Sequence, residues 1–260
     1  MNIVVFDTET TNLEKPFCYN IGYCIYNTDS KEIEVKHDFV IEQIWHNLPL
    51  FSTAYYAEKR QIYINRMKGK TCVLEKFGYV TQTMCREFKE YNVQIAFAFN
   101  SPFDTKVFDF NCDWFKCINP FDNIPIVDIR GFVHKSIAFT EEFQQFCDNN
   151  GLFTDSGNYS TTAEDIYKYI TNNCDFIEEH TALADSLIEL EILCYCIDNG
   201  CDWLTEYKVY RTIPKITLQQ FKVIDAEGKE YIFPYTSKKK IVNDNGLRFT
   251  IKQPKEKRGE

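Results

Sequence analysis

Two carboxylates stand one residue apart near the start of the chain, in the stretch Phe6-Asp-Thr-Glu-Thr-Thr11. The residues before them, Asn2–Phe6, are mostly apolar and β-branched, which predicts a buried strand. Side chains alternate across a strand, so Asp7 and Glu9 are expected to share a face. Two neighbouring carboxylates repel each other. Either a cationic partner and solvent offset that cost, or both acids bind a divalent metal ion.

A third acid follows another apolar strand pattern. Val93–Phe99 reads as a buried strand, and Asn100-Ser-Pro-Phe-Asp104 comes directly after it. Ser101 and Pro102 are typical of an N-cap and a first helical turn. Asp104 is therefore expected just inside a helix, one turn from the carboxyl end of that strand.

A fourth acid belongs to the segment His180-Thr-Ala-Leu-Ala-Asp185. This segment opens the longest predicted helix, which runs to about Asp198 and stops at Gly200. Ala182 and Ala184 are small and would let the helix approach the sheet closely. His180 is expected at or just before the helix start, free to point towards the same pocket.

Together these three segments resemble a known family. F-D-T-E-T-T, N-x-x-F-D and H-x-A-x-x-D, in this order, are similar to the three motifs of the DEDDh 3′-to-5′ exonucleases, a DnaQ-like group with an RNase H-like fold. The resemblance covers roughly residues 1–200. Asn12 departs from it, since many members have glycine there, but Asn tolerates the same turn geometry. Richness in Asn, Lys, Ile, Phe and Tyr suggests an A+T-rich genome, that of a bacterial virus (a phage-encoded member) or of a low-GC bacterium.

The resemblance implies a two-metal phosphodiesterase. Its four acidic ligands would be Asp7, Glu9, Asp104 and Asp185, holding two Mg²⁺ or Mn²⁺ ions. His180 would be the general base, since an imidazole with a pKa of about 6.5 can accept a proton near neutral pH. The products would be nucleoside 5′-monophosphates, released from single-stranded DNA or from 3′ ends.

Substrate contacts are also carried over from the resemblance. The candidate substrate-binding residues are Thr8, Thr10, Leu13, Asn100 and Phe103. The Thr10 backbone could contact the terminal 3′-hydroxyl. Leu13 is either a wedge against the last base or an ordinary core leucine. Phe103 either stacks against a base of the substrate or is a packing residue that positions Asp104.

Several alternatives stay open at this stage. The motifs do not read the 2′-hydroxyl, so an RNA exonuclease similar to oligoribonuclease or RNase T is the main one. A second alternative is a proofreading-type accessory subunit that acts as a binding scaffold for a polymerase. The partner could be that polymerase or a second copy of this chain in a homodimer. Because the sequence has neither a long apolar run nor a signal-peptide pattern, we expect no membrane partner and a cytoplasmic location, in the host cytoplasm for a phage protein.

The remaining elements predict the fold. Strand patterns at Tyr19–Tyr26 and Ile33–Ile41 make an antiparallel meander with the first strand, and a further strand is expected at 124–133. The expected class is α/β, an RNase H-like mixed sheet (antiparallel meander plus parallel strands) flanked by helices. We expect an exonuclease domain at 1–213, a small β-rich basic appendage at 214–251 and a disordered tail at 252–260.

Charge is distributed unevenly along the chain. The net charge is −9, which is unlike a protein that coats nucleic acid non-specifically. Residues 215–260 carry +5 and the rest −14. Four metal-binding carboxylates would account for part of the acidity. Lys238-Lys239-Lys240 is either a nucleic-acid contact or a solvated loop.

Overall fold

Six strands form a mixed sheet in the computed structural model, which describes residues 1–201 and, further on, the backbone of residues 220–224 and 230–234. The strands are Asn2–Thr10 (β1), Cys18–Asn27 (β2), Glu32–Ile41 (β3), Val73–Glu75 (β4), Ile95–Ala98 (β5) and Ile126–Asp128 (β6). Their order is β4-β3-β2-β1-β5-β6. Strands β1 to β3 are antiparallel neighbours, whereas β4, β5 and β6 pair in parallel. The predicted RNase H-like mixed sheet is confirmed.

Helices fill most of the connections. They are Glu42–Trp45 (α1), Leu48–Phe51 (α2), Arg60–Lys68 (α3), Phe77–Glu90 (α4), Pro102–Phe115 (α5), Ile129–Ser136 (α6), Glu141–Asn150 (α7), Ala163–Thr171 (α8) and Ala182–Asp198 (α9). A short 3₁₀ helix, Ala57–Lys59, precedes α3. The longest of these described helices, α9, lies against β1 and β2.

The core holds β1 rigidly. Ile3–Phe6 are buried, as the apolar pattern predicts, and β2 is buried along nearly its whole length. The Phe6 ring stacks on Phe121 with centroids 4.3 Å apart and meets the edge of Phe108 at 5.7 Å. Because both faces of β1 are packed, the carboxyl end of this strand is a firm support for the acids that follow.

The prediction of a strand at 124–133 is wrong in its second half, which is helical. Strand β6 ends at Asp128, and α6 begins at the next residue. The Asp128 side chain accepts the Arg130 backbone N–H at 3.0 Å, so it caps the helix. Ile129, Phe132 and Val133 are buried at helical spacing. A short apolar run gives no periodicity long enough to separate these two outcomes.

The region 42–90 holds a strand that its helical pattern concealed. Val73–Glu75 pairs in parallel with Phe39–Ile41 at one edge of the sheet. Three residues are too few for an alternating pattern, so the neighbouring helices dominated the sequence signal.

The second unit of the chain is described separately. The chain divides into Met1–Glu206 and Tyr207–Glu260. In the second unit Gln220–Ile224 (β7) pairs antiparallel with Glu230–Pro234 (β8). The expected boundary at 213/214, the Lys238–Lys240 run and the tail at 252–260 lie outside the described residues and remain predictions. No described helix is long and apolar enough to span a membrane.

Candidate active site

Strand β1 carries Asp7 and Glu9 at its carboxyl end, on one face, because its extended geometry continues to Thr10. In the antiparallel register Asp7 lies opposite Gly22 and Glu9 lies opposite Asn20. The two β2 residues are both small or polar, and both contact the start of α9. The pairing of β1 with β2 therefore decides what faces the two acids.

Gly22 lets α9 touch the sheet with its backbone. A Cβ atom built on Gly22 would stand 2.0 Å from the Leu183 nitrogen and 2.1 Å from the Ala182 carbonyl carbon. No side chain fits there, so glycine is required by space. The small Ala182 predicted for close approach is buried at this contact. The consequence is that Asp185, one turn further along α9, arrives beside Asp7.

Asn20 supplies the cap that the start of α9 otherwise lacks. Thr181 stands at the N-cap position, but its side chain makes no capping hydrogen bond. Instead the buried Asn20 Oδ1 accepts the Ala182 backbone N–H at 2.8 Å and the Tyr63 hydroxyl at 3.0 Å. Its Nδ2 donates to Asp38 Oδ1 at 2.6 Å. Fully paired buried amides fix geometry, so Asn20 sets where α9 begins.

Three carboxylates converge at this point. Asp7, Glu9 and Asp185 each offer an oxygen, and these oxygens lie within 4.8 Å of one another. Burial, reinforced by the neighbouring acids, raises the pKa of Asp7 well above its usual value. It raises the pKa of Glu9 to about 8 and of Asp185 to about 9. Asp185 Oδ1 is buried and has no hydrogen-bond partner. Clustered acids with an unpaired buried oxygen fit a divalent cation, which prefers oxygen ligands.

Asp104 lies beside this cluster rather than within it. It is buried in the first turn of α5, where the sequence predicts it. The Thr8 hydroxyl donates to Asp104 Oδ1 at 2.6 Å, and burial raises the Asp104 pKa to about 7. Its charge is among those that raise the Asp7 pKa. The Thr8 side chain thus supports Asp104, so a substrate contact from Thr8 would fall to its backbone.

Glu189 is a fifth acid that the motif comparison missed. It lies one helical turn beyond Asp185 and is 4% exposed. Its Oε2 accepts the Phe99 backbone N–H at 3.1 Å, while burial and the charge of Asp104 raise its pKa. Glu189 therefore ties α9 to the end of β5, where the Asp104 segment begins. An acid at i+4 from Asp185 in an apolar helix was the available signal.

His180 stands before α9 in the left-handed backbone region, with φ of 53°. Its Nδ1 lies 3.5 Å from Glu178 Oε2, and its ring stacks on Tyr56 with centroids 4.4 Å apart and planes 11° apart. Burial and the positive charge of Lys59 lower the His180 pKa. The lowered pKa favours the neutral form of the imidazole.

Residues outside the three motifs hold the His180 segment. Arg66 on α3 pairs with Asp38 at 2.8 Å and with Glu179 at 2.7 Å. Lys59 donates to the Glu179 carbonyl at 2.6 Å. Nothing in the sequence pattern of 42–90 predicted this role, because it depends on which surfaces the fold brings together.

The other candidate substrate residues lie at the end of β1, in the loop after it, and around the start of α5. Leu13 is 72% exposed, so it is not a core residue, and its carbonyl accepts the Lys106 ammonium at 2.9 Å. Asn100 is exposed, with φ of 62°, and its backbone N–H donates to Asp128. Phe103 is half-buried against the core, and Thr10 is half-buried at the end of β1. Contacts of these residues with a substrate remain predictions.

Solved structures with a similar fold include a 3′-exonuclease, the nuclease domain of 3′hExo and E. coli Exonuclease I. One, from a study of 3′-end specific recognition of a histone mRNA stem-loop by a 3′-exonuclease, is 12% identical with a TM-score of 0.50, covering 90% of this chain and 91% of that chain. The nuclease domain of 3′hExo, a DEDDh family member bound to rAMP, is 14% identical with a TM-score of 0.49, covering 77% and 94%. E. coli Exonuclease I in complex with a dA16 oligonucleotide is 13% identical with a TM-score of 0.46, covering 80% and 43%.

No protein-family model and no curated protein sequence matches the chain. The chain shares its fold with the 3′-exonuclease of the histone mRNA study. At such low identity, a shared fold does not carry chemistry with it, so the activity has to be argued from the site itself.

Proposed function

We propose that this protein is a metal-dependent 3′-to-5′ exonuclease that releases nucleoside 5′-monophosphates from single-stranded DNA or from 3′ ends. The observation that carries the proposal is the convergence of Asp7, Glu9 and Asp185 oxygens within 4.8 Å, at a site where Asp185 Oδ1 is buried and unpaired. An ion pair would relieve such repulsion equally well, but the atoms within this trio are all carboxylate oxygens. A bound cation is the simpler partner.

The ions we assign to the site are two Mg²⁺ or Mn²⁺, held by Asp7, Glu9 and Asp185 with Asp104 beside them. When bound, such ions stabilise the negative charge that develops on a phosphate and its leaving oxygen. The four acids also make the site repel a phosphate until the cations are present. Activity should therefore depend on the metal strictly.

His180 is assigned to accept the proton of the attacking water. Because its Nδ1 faces Glu178, the atom assigned to that proton is Nε2. The parallel stack on Tyr56 restricts the ring orientation. His180 precedes α9 by two residues, and the proposal requires its imidazole to reach the water that attacks the phosphate.

The 3′ end of the strand is assigned to the loop after β1. The Thr10 backbone would contact the terminal hydroxyl, and the exposed Leu13 would lie against the last base. Terminal bases held by apolar contacts need no long track of positive charge, which suits an acidic protein. RNA remains the alternative substrate. The other alternative is a scaffold role on a polymerase, in which the carboxylates would be present but no nucleotide would be released.

The test uses end-labelled single-stranded DNA and RNA of one sequence, with Mg²⁺, Mn²⁺ or EDTA. We expect stepwise loss of 3′ nucleotides with metal and none in EDTA or in Asp7→Asn. Asp113→Asn is the matched control, since Asp113 is an exposed acid on α5 that pairs with Lys116. Equal turnover in EDTA would overturn the metal mechanism, and preference for one polymer would fix the substrate.

A further inference from the structure

One wall of the candidate site comes from the segment Tyr55–Lys59, which belongs to none of the three motifs. Tyr56 stacks face to face on His180, and Lys59 Nζ lies 4.4 Å above the Tyr56 ring. Lys59 is also bonded to the Glu179 carbonyl. This wall is thus fixed to the His180 segment from two sides.

Tyr55 extends the wall towards solvent. Its ring meets the Tyr56 ring edge-on, with centroids 4.8 Å apart, and its side chain is 85% exposed. A single exposed tyrosine is unremarkable by itself. This one, however, continues an aromatic row from His180 through Tyr56 to the surface. The exposed part of the Tyr55 ring is available to a flat, apolar ligand.

Lys59 gives the wall the charge that a nucleic acid needs. Lys59 donates to the carbonyl of Glu179, the residue before His180, so its charge lies beside the segment that leads into α9. It is half-buried, and its ammonium has three donors, of which Glu179 takes one. A phosphate approaching this otherwise acidic pocket meets a cation here, beside an exposed aromatic ring.

We infer that Tyr55, backed by Tyr56 and Lys59, is a subsite that stacks a base of a single-stranded nucleic acid close to its 3′ end. The inference rests on the proposed function and adds a ligand contact from outside the motifs. Stacking is tolerant of base identity, because each base has a π-face. Tyr56 is a positioning residue in this arrangement, whereas Tyr55 touches the substrate.

The experiment measures binding separately from hydrolysis. Anisotropy of a fluorescein-labelled thymidine oligonucleotide, with Ca²⁺ in place of Mg²⁺, gives the Kd. Hydrolysis with Mg²⁺ gives KM and kcat. For Tyr55→Ala we expect Kd and KM to rise about 5- to 100-fold, as expected for losing one stacked base. We expect kcat to change much less. Tyr55→Phe should recover affinity relative to Tyr55→Ala, because stacking uses the ring face.

Two controls decide what the effect means. Tyr79→Ala removes another exposed tyrosine, on α4, and should leave Kd and KM unchanged. An oligonucleotide with abasic residues at its 3′ end should bind Tyr55→Ala and the wild-type protein equally, because no base is left to stack. A Tyr55→Ala penalty that persists on the abasic strand would overturn the subsite.

The outcomes separate the two proposals. If the wild-type protein binds the strand without hydrolysing it, the exonuclease proposal fails, while a Tyr55→Ala loss of binding still supports the subsite. If it hydrolyses the strand and Tyr55→Ala matches it in Kd and KM, the subsite is wrong and the exonuclease proposal stands. Absence of both binding and hydrolysis would overturn both.

Discussion

Asp185 faces opposite demands from stability and from function. In the metal-free protein burial and the neighbouring acids raise the pKa of its carboxyl group to about 9, and its Oδ1 has no partner. We predict that Asp185→Asn lowers turnover by more than the roughly 10- to 100-fold that loss of an outer-shell partner costs. In EDTA near neutral pH the same change should raise Tm, because it removes the cost of keeping a buried carboxyl protonated above its ordinary pKa.

The matched control for this prediction lies on the same helix. Asp198→Asn alters an exposed acid at the end of α9 that pairs with Lys31. It should leave both turnover and Tm close to wild type. Opposite effects on activity and stability at Asp185 alone would identify a binding site, whereas a fall in both would indicate a structural acid.

His180 gives the residue-scale prediction for pH. Its pKa is lowered, so the neutral form persists below the usual value and activity should fall only as the pH drops through that lowered pKa. Lys59→Met removes a cation that lowers this pKa. It also removes a charge that favours ionised Glu9 and Asp185.

Both effects of Lys59→Met raise a pKa, that of His180 and those of Glu9 and Asp185. We expect the acid limb of the plot of log kcat/KM against pH to move to higher pH in this variant. A limb that stays in place would show that the titrating group is not the one beside Lys59. Loss of amplitude without a shift would indicate damage to substrate binding instead.

At the scale of elements, the contact between β2 and α9 decides whether the site forms. Gly22→Ala would place a Cβ 2.0 Å from the Leu183 backbone, and backbone cannot move aside as a flexible side chain can. We predict a loss of about 1–3 kcal/mol or more in the free energy of unfolding, with Asp185 displaced from Asp7. Urea unfolding and metal-dependent activity measure the two effects.

A second glycine provides the comparison. Gly131 lies in α6, and a Cβ built there meets nothing within 4 Å. Gly131→Ala should raise the free energy of unfolding by about 0.5–1 kcal/mol, through helix propensity, with activity unchanged. If Gly22→Ala were equally tolerated, the close approach of α9 would not be what positions Asp185.

At the scale of the whole molecule, metal and protons compete for the same acids. Folded pKa values of about 8 for Glu9 and 9 for Asp185 lie above the values of an unfolded chain, and Asp104, at about 7, does too. Such groups stabilise the fold fully at low pH. Their contribution is lost as the pH rises through the folded pKa values.

The metal-free protein should therefore have a lower Tm near pH 8.5 than near pH 6, whereas Mg²⁺ binds the ionised acids and offsets this loss. We predict that the gain in Tm from Mg²⁺ over EDTA is larger at the higher pH. Thermal unfolding at both pH values measures it, with Asp185→Asn as the variant in which the gain shrinks. An equal gain at both pH values would contradict the prediction.

The sequence alone determined the parts of this protein whose signal is local. The apolar run before Asp7, the helix start at Pro102 and the helix after Thr181 each have a pattern that short-range physics enforces, so the sheet and the four motif acids could be placed in advance. Strand β4 was missed and strand β6 was predicted too long, because a strand of three residues carries too little periodicity.

The tertiary structure decided everything that depends on distant surfaces meeting. Only the packed fold shows that Gly22 and Asn20 set the start of α9, that Glu189 joins Asp185 to the Asp104 segment, and that Tyr56 and Arg66 hold the His180 segment. Contacts between residues far apart in the chain produce no spacing pattern that a single sequence could show. Asp7 and Glu9 could be identified from the sequence, but the residues that face them were set by the fold.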